Sequence, residues 1–400
     1  MDDRSNKLLT WAKKDLNDLM NWWANNAVDE VNSGFYGRVR DDNAPDKKAD
    51  KFIVLNARLV WTFSACYELL KDERYKTLAE RTYTYLIYYF YDNRHGGYHT
   101  SLNFRGDVLD DRKFMYGNAF AVYGLSEYAR VFGDADALKQ AKETVAFMDK
   151  YMWDAEHKGY YEFASRDWRY TPNEILMQRN PLNQKTMNTH LHIIEAFANL
   201  LRADDSKRLR SRVRELLYIF LHKILNRENW HFHYFQTREW AATTPEQSFG
   251  HDIEGSWLLY EAAEILGERE AIADAGHACV NMARAVYDDG IAKCGALLSE
   301  YDPPARHYKE GFSWWEQNEA VVGFLNAYQM TGEAKFLDAS LAALDYIDGH
   351  FIDRVHGGWY ARVDIDGAPI PDTDKLNGFI CPYHNARMDL EIIKRLGKLE

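Results

Sequence analysis

Cysteine is scarce in this sequence, and its four copies stand apart. Cys66, Cys279, Cys294 and Cys381 show no CxxC spacing. That excludes a disulfide framework and a cysteine-based zinc site, and it fits a reducing, cytoplasmic setting with free thiols. Excess positive charge is also missing. The 49 Lys and Arg residues are outnumbered by 61 Asp and Glu, leaving a formal charge of −12 and no basic footprint for nucleic acid. No apolar run approaches the ~18 residues that suggest a membrane span. The polar N-terminus, MDDRSNKLLTWAKKDL, lacks the apolar core and cleavage pattern of a signal peptide. No Pro/Gly/Ser-rich linker divides the chain, so one domain over residues 1–400 is expected. There is no phosphate-binding glycine loop, nucleophile elbow or dinucleotide fingerprint.

What is present is aromatic and periodic. Phe, Trp and Tyr make up 14% of the chain, and such rings fill cores or stack on sugars. Short Gly- and aromatic-rich segments recur: GFYGRV at 34–39, GGYHTSLNFRGD at 96–107, KGYYEFASRDW at 158–168, WHFHYFQTREW at 230–240, GALLSEYD at 295–302 and GGWYARVDIDGAP at 357–369. With Tyr36, Tyr98, Tyr160, Phe232, Leu297 and Tyr360 as markers, the spacings are 62, 62, 72, 65 and 63 residues. A near-constant spacing means one supersecondary unit repeated.

Helical patterns fill the gaps in pairs. The first of each pair is apolar nearly all round and reads as buried: 52–70, 113–132, 186–201, 251–266, 314–330 and 383–396. The second is amphipathic: 75–91, 135–152, 207–225, 268–287 and 334–351, with 5–27 supplying the sixth. Twelve helices in six pairs predict an all-α (α/α)6 barrel with short β-hairpins between repeats. An open helical solenoid is the alternative. Closure is preferred because only a ring brings the polar residues below together.

Each buried helix begins with polar side chains. They are Asn56 and Arg58; Lys113 and Tyr116; Asn188, His190, His192 and Glu195; His251 and Glu254; Trp314, Trp315, Gln317 and Glu319; and Tyr383, His384, Asn385 and Arg387. His251 and Glu254 lie in FGHDIEGSW, three residues apart on one helical face. Alone, such a pair reads as structural. At equivalent places in six repeats, such clusters point to a shared pocket. Two histidines facing a substrate from different helices suit proton removal beside a carbonyl and its return on the other face. Arg58 and Tyr116 suit a developing oxyanion, and a third histidine suits sugar ring opening. The chemistry indicated is aldose isomerisation or epimerisation.

A metal is not expected. His190 and His192 diverge by about 200° on a helix. His231 and His233 share a strand face, but no carboxylate or cysteine is expected beside them.

The chain resembles the N-acylglucosamine 2-epimerase superfamily, and within it the cellobiose 2-epimerases. The likeness runs nearly end to end, through GFYGRV, NARLVWTFSA, Lys113 and Tyr116, MNTHLH, FGHDIEGSWLL, WWEQNEAVVGFLNAY and CPYHNARMDLE. It implies an (α/α)6 barrel, His251 and His384 as the acid/base pair at C2, and His192 in ring opening. It implies Arg58, Tyr116, Asn188, Glu254 and Glu319 as sugar ligands, with the rings of Trp257, Trp315 and Phe379 beside them. No cofactor or metal follows from it. The partner implied is a small sugar, with no nucleic acid or membrane, and the chain is expected to be a monomer or weak dimer. Two positions depart from the family pattern. Phe379 stands where the disaccharide enzymes place a tryptophan, and Asn318 replaces an alanine of WWxQAE. The expected activity is interconversion of reducing-end glucose and mannose in a β-1,4-linked disaccharide through a cis-enediolate. The alternatives are a mannose/glucose 2-epimerase or mannose–fructose isomerase, a glycoside hydrolase using Glu254 and Glu319, and a non-catalytic sugar-binding module.

Overall fold

The computed structural model describes residues 3–397. Residues 1–2 and 398–400, the ends of the expected 1–400 unit, lie outside them. Thirteen α-helices are present among the described residues. They are α1 (Asp3–Asn26), α2 (Ile53–Leu70), α3 (Glu73–Tyr85), α4 (Met115–Phe132), α5 (Ala135–Tyr151), α6 (Glu174–Arg179), α7 (Met187–Leu201), α8 (Lys207–Ile219), α9 (Phe249–Leu266), α10 (Arg269–Asp289), α11 (Trp314–Thr331), α12 (Ala334–His350) and α13 (Tyr383–Leu396).

Six of them form an inner ring. α2 packs on α4, α4 on α7, α7 on α9, α9 on α11, α11 on α13, and α13 returns to α2. Each carries an outer helix: α3, α5, α8, α10 and α12 cover the first five in chain order, and α1 covers α13. The ring is therefore closed by the two ends of the sequence, as an (α/α)6 barrel and not an open solenoid. The inner helices are apolar all round because neighbours meet them on every side. α2 does reach the length and mean hydropathy of a membrane span, against the expectation above, and it is packed by α3, α4 and α13. The outer helices bury one stripe. In α8, Leu209, Val213, Leu216 and Leu217 are inward while Arg208 and Arg214 face out. α3 and α8 each end in a π-helical turn, Leu86–Phe90 and Phe220–Ile224, within the single helical stretches read from the sequence.

The short strands explain the repeat. Each strand entering an inner helix pairs antiparallel with a strand of the next hairpin: Lys51–Phe52 with Ser101–Leu102, Lys113–Phe114 with Phe163–Ala164, and Lys185–Thr186 with Phe235–Gln236. Gln247–Ser248 pairs with Glu300–Asp302, and Phe312–Ser313 with Arg362–Val363. Val39–Arg40 pairs with Asp374–Leu376, so the first and last repeats join here too. All six ladders lie at the N-terminal ends of the inner helices, and the hairpins wall that end.

The marker positions need one correction. Tyr98, Tyr160, Phe232 and Leu297 bridge back to Tyr91, Trp153, Leu225 and Ile291, but in the outer repeats the equivalent bridges are made by Phe35 and Trp359. Tyr36 and Tyr360 are each one residue late. The long third spacing holds α6, a single short helix that the sequence pattern does not reveal.

Candidate active site

Sorting the polar clusters by register separates scaffold from pocket. Four residues after the last strand residue stand Asn118, His190, Asp252 and Gln317. Each accepts the backbone N–H of its own hairpin's marker: Tyr98 at 3.0 Å, Tyr160 at 2.8 Å, Phe232 at 2.8 Å and Leu297 at 2.7 Å. Asn56 in the same register donates to Phe52 O at 2.9 Å. These side chains satisfy backbone that would otherwise be buried unpaired. His190 and Lys113 therefore leave the pocket list. Lys113 is fully buried and donates to Asp92 at 3.0 Å. Lys51–Asp29, Lys185–Asp154 and Lys375–Asp353 repeat that ion pair at 3.1, 3.1 and 2.7 Å. His231 is also scaffold. Its two ring nitrogens meet Asp252 at 2.7 Å and Asp289 at 3.2 Å, which corrects the expectation that no carboxylate stands near it.

Two residues further along each inner helix, the side chains turn to the barrel axis. Arg58, His192, Glu254 and Glu319 occupy this register, and Arg387 joins them from α13. Arg387 is the centre. It donates to Glu195 Oε1 at 2.5 Å, Glu254 Oε1 at 2.5 Å and Glu319 Oε1 at 2.7 Å, and it also contacts the Tyr383 hydroxyl. Tyr383 donates to Glu195 Oε1 at 2.5 Å. Trp257 lies beneath, 1% exposed, with its indole N–H on Glu319 Oε2 at 3.0 Å and the guanidinium 4.9 Å from its ring. Trp257 thus supports the floor.

The three histidines stand on this floor. His384 Nδ1 meets Glu319 Oε1 at 2.7 Å, His192 Nδ1 meets Glu195 Oε2 at 2.8 Å, and His251 Nδ1 meets the Ser248 hydroxyl at 2.7 Å. In each ring Nε2 has no hydrogen-bond partner among the described residues. Glu195 is held ionised, and Glu319 already accepts on both oxygens, from Arg387 and Trp257, so His384 and His192 hold their protons on Nδ1 and present a bare Nε2 lone pair. The Trp315 ring contacts both His251, at 4.7 Å between centroids, and His384, at 5.5 Å. Gly250 allows that approach, since a Cβ there would lie 2.7 Å from the Trp315 ring. Tyr234 adds a ring 5.3 Å from His251.

Arg58 donates to the Tyr116 hydroxyl at 2.8 Å and lies over Phe120 and Tyr383, 4.2 and 4.5 Å from their centroids. It also donates to the Phe379 carbonyl at 3.3 Å. Phe379 itself is 49% exposed, its ring 6.3 Å from Phe52, so it offers an apolar face at the rim. Asn188 shares the register of Tyr116 and Trp315, and its Oδ1 has no partner among the described residues. Asn318 is fully buried, with neither amide atom bonded among the described residues. It is not at the mouth, so of the two departures only Phe379 meets solvent.

Burial and charge set the protonation pattern. Burial, then the neighbouring His192, brings His251 down to about 3. Burial, then Arg58 and Arg387, holds His384 well below its ordinary value. His192 is lowered chiefly by burial. Burial would raise Glu195, but Arg387 and His192 bring it down to about 2. Burial and the facing Glu319 push Glu254 up to about 8, and burial raises Glu319 as well. Neutral imidazoles thus stand over a carboxyl pair that retains a proton near neutral pH. Glu254, Glu319 and His384 also converge as metal ligands would, within 4.8 Å of one another. The Arg387 guanidinium already binds both carboxylates there, so a second cation would meet it at contact distance.

Comparison with known proteins shows the family and the fold. A family model described as N-acylglucosamine 2-epimerase (GlcNAc 2-epimerase) matches residues 34–386. The chain is 38% identical over 375 residues to a cellobiose 2-epimerase of Bacteroides fragilis, covering 94% of this chain and 95% of that one. The structure of a cellobiose 2-epimerase from Bacillus thermoamylovorans superposes with a TM-score of 0.92 at 34% identity, covering 96% of this chain and 99% of that one. The fold is shared with a D-mannose isomerase at a TM-score of 0.85 and 21% identity, covering 99% of each chain.

Proposed function

The chain belongs to the N-acylglucosamine 2-epimerase family and is a carbohydrate epimerase, and from that premise we propose that it epimerises C2 of the reducing-end sugar of a β-1,4-linked disaccharide such as cellobiose. One observation carries the reading. His251 and His384, from different inner helices, contact the same Trp315 ring, and each is held through Nδ1 with Nε2 left for substrate. In this mechanism His192 assists opening of the sugar ring. One of the pair then takes the C2 proton on Nε2, and the C–H electrons pass into a cis-enediolate. As negative charge builds on the enediolate, the other takes up a solvent proton and delivers it to the opposite face, and the first then releases its proton to solvent, which resets the pair. Burial keeps both rings neutral, whereas the negative charge of an enediolate favours the imidazolium. Arg58 and Tyr116 stabilise the enediolate oxygens, Asn188 binds a sugar hydroxyl, and Trp315 stacks on the ring. Glu254 and Glu319 act from below, as the carboxylates that hold Arg387 and orient His384. That arrangement speaks against a hydrolase, which needs two carboxylates flanking the scissile bond.

The exposed Phe379 ring supports a second sugar by stacking. Its smaller face than tryptophan, with the shared fold of a D-mannose isomerase, favours mannose as the second reading. Cellobiose, mannobiose, lactose, mannose and glucose offered separately and resolved by chromatography decide between them. Turnover of cellobiose to its C2 epimer is expected. Turnover of mannose alone replaces the disaccharide reading, and release of monosaccharide from cellobiose contradicts both.

A further inference from the structure

Ser248 occupies the residue that caps α9, immediately before Phe249. Serine is among the preferred residues for that place, because its hydroxyl can satisfy a free backbone N–H of the first turn. In α7 the equivalent Thr186 does this, accepting from Thr189 N at 3.2 Å. Ser248 does not: its side chain makes no capping hydrogen bond to α9. Its hydroxyl instead lies 2.7 Å from His251 Nδ1, and both residues are buried. No other partner for that hydroxyl is found among the described residues. The backbone of Ser248 is meanwhile fixed by its ladder with Glu300, so the hydroxyl is held on a strand end and not on a mobile loop.

The partner's chemistry separates the two histidines. Both Glu319 oxygens already accept, from Arg387 and Trp257, which commits His384 to Nδ1–H. A hydroxyl both donates and accepts. It can accept from Nδ1–H when the His251 ring is an imidazolium or a base with a free Nε2, and it can donate to Nδ1 when the proton sits on Nε2. We propose that Ser248 is a positioning residue for the epimerisation, its hydroxyl withdrawn from capping α9 to hold the His251 ring with Nε2 toward substrate in either protonation state. The inference rests on the C2-epimerase reading.

The test compares Ser248→Ala, Ser248→Thr and Ser248→Asp in the full-length enzyme with cellobiose. Ser248→Ala is expected to keep its Tm and circular dichroism, lose kcat by about 10–100-fold, and change KM by less than about 2-fold. Ser248→Thr restores most of the lost kcat. Ser248→Asp places a carboxylate on Nδ1 and moves the acidic limb of the kcat/KM profile upward by about one pH unit or more. Imidazole 15N spectra give a readout that needs no turnover. The His251 Nδ1 resonance, identified by its loss in His251→Asn, shifts in Ser248→Ala and returns toward the wild-type position in Ser248→Thr. Wild-type kcat in Ser248→Ala, or an unmoved Nδ1 resonance, overturns the proposal. If the wild-type enzyme leaves C2 unchanged, the epimerase reading fails while the nitrogen spectra still judge the Ser248 contact.

Discussion

Alanine in place of His384 is expected to lower kcat for C2 epimerisation by about 10²–10⁴-fold, the usual worth of a positioned acid or base. The fold should survive. His384 is one of three groups on Glu319, whose carboxylate keeps Arg387 at 2.7 Å and the Trp257 N–H at 3.0 Å. Substrate binding falls mainly to other groups, so KM moves much less than kcat. His251→Ala is expected to lose a similar factor, and the double variant little more, because two groups that act as a unit in one reaction are not additive. Steady-state kinetics with a thermal melt on each variant checks this. A His384→Ala enzyme within about 10-fold of wild type would remove His384 from the proton transfer.

The largest stability effect is expected at Arg387. Its guanidinium bonds Glu195, Glu254 and Glu319, all buried. Arg387→Ala strips the cation from three carboxylates, and breaking a buried pair in this way typically destabilises by about 3–5 kcal/mol. The sign of the pH dependence follows from the same charges. In the wild type Glu195 is held at about 2, below its unfolded value, so its stabilising contribution is present above the unfolded pKa and fades as pH falls toward 2. Without Arg387 the buried carboxyls have raised folded pKa values, and their stability is lost as pH rises. The deficit of Arg387→Ala should therefore be larger at pH 8 than at pH 5. Urea unfolding at the two pH values measures it, and an equal deficit at both contradicts the charge account.

Much of this architecture could be read from the sequence, for identifiable physical reasons. Helices buried on all sides and helices with one apolar stripe differ in periodic pattern, so both rings of the barrel came within a few residues of their observed ends. α6 escaped because a helix of six residues in a polar excursion carries too little pattern to stand out. The polar clusters marked one end of the barrel, where the inner helices begin, but not the division within them. His190 and His192 look alike in MNTHLH, and only the hairpin N–H of Tyr160 shows that one is scaffold. Arg387 was visible as a neighbour of His384 but not as the hub, because its carboxylate partners lie 192, 133 and 68 residues away. Ser248 carried a possible signal, a capping residue directly before FGHDIE, but its choice of His251 over the helix end is visible only in the folded chain.

The central claim is that this site moves a proton at C2 of a reducing sugar. Incubating the enzyme with cellobiose in deuterated water, followed by NMR of the separated epimer, tests it most directly. The account predicts a disaccharide whose reducing-end residue is mannose, carrying one deuterium at C2. An epimer formed with its original hydrogen at C2, or cellobiose returned unchanged, would contradict it.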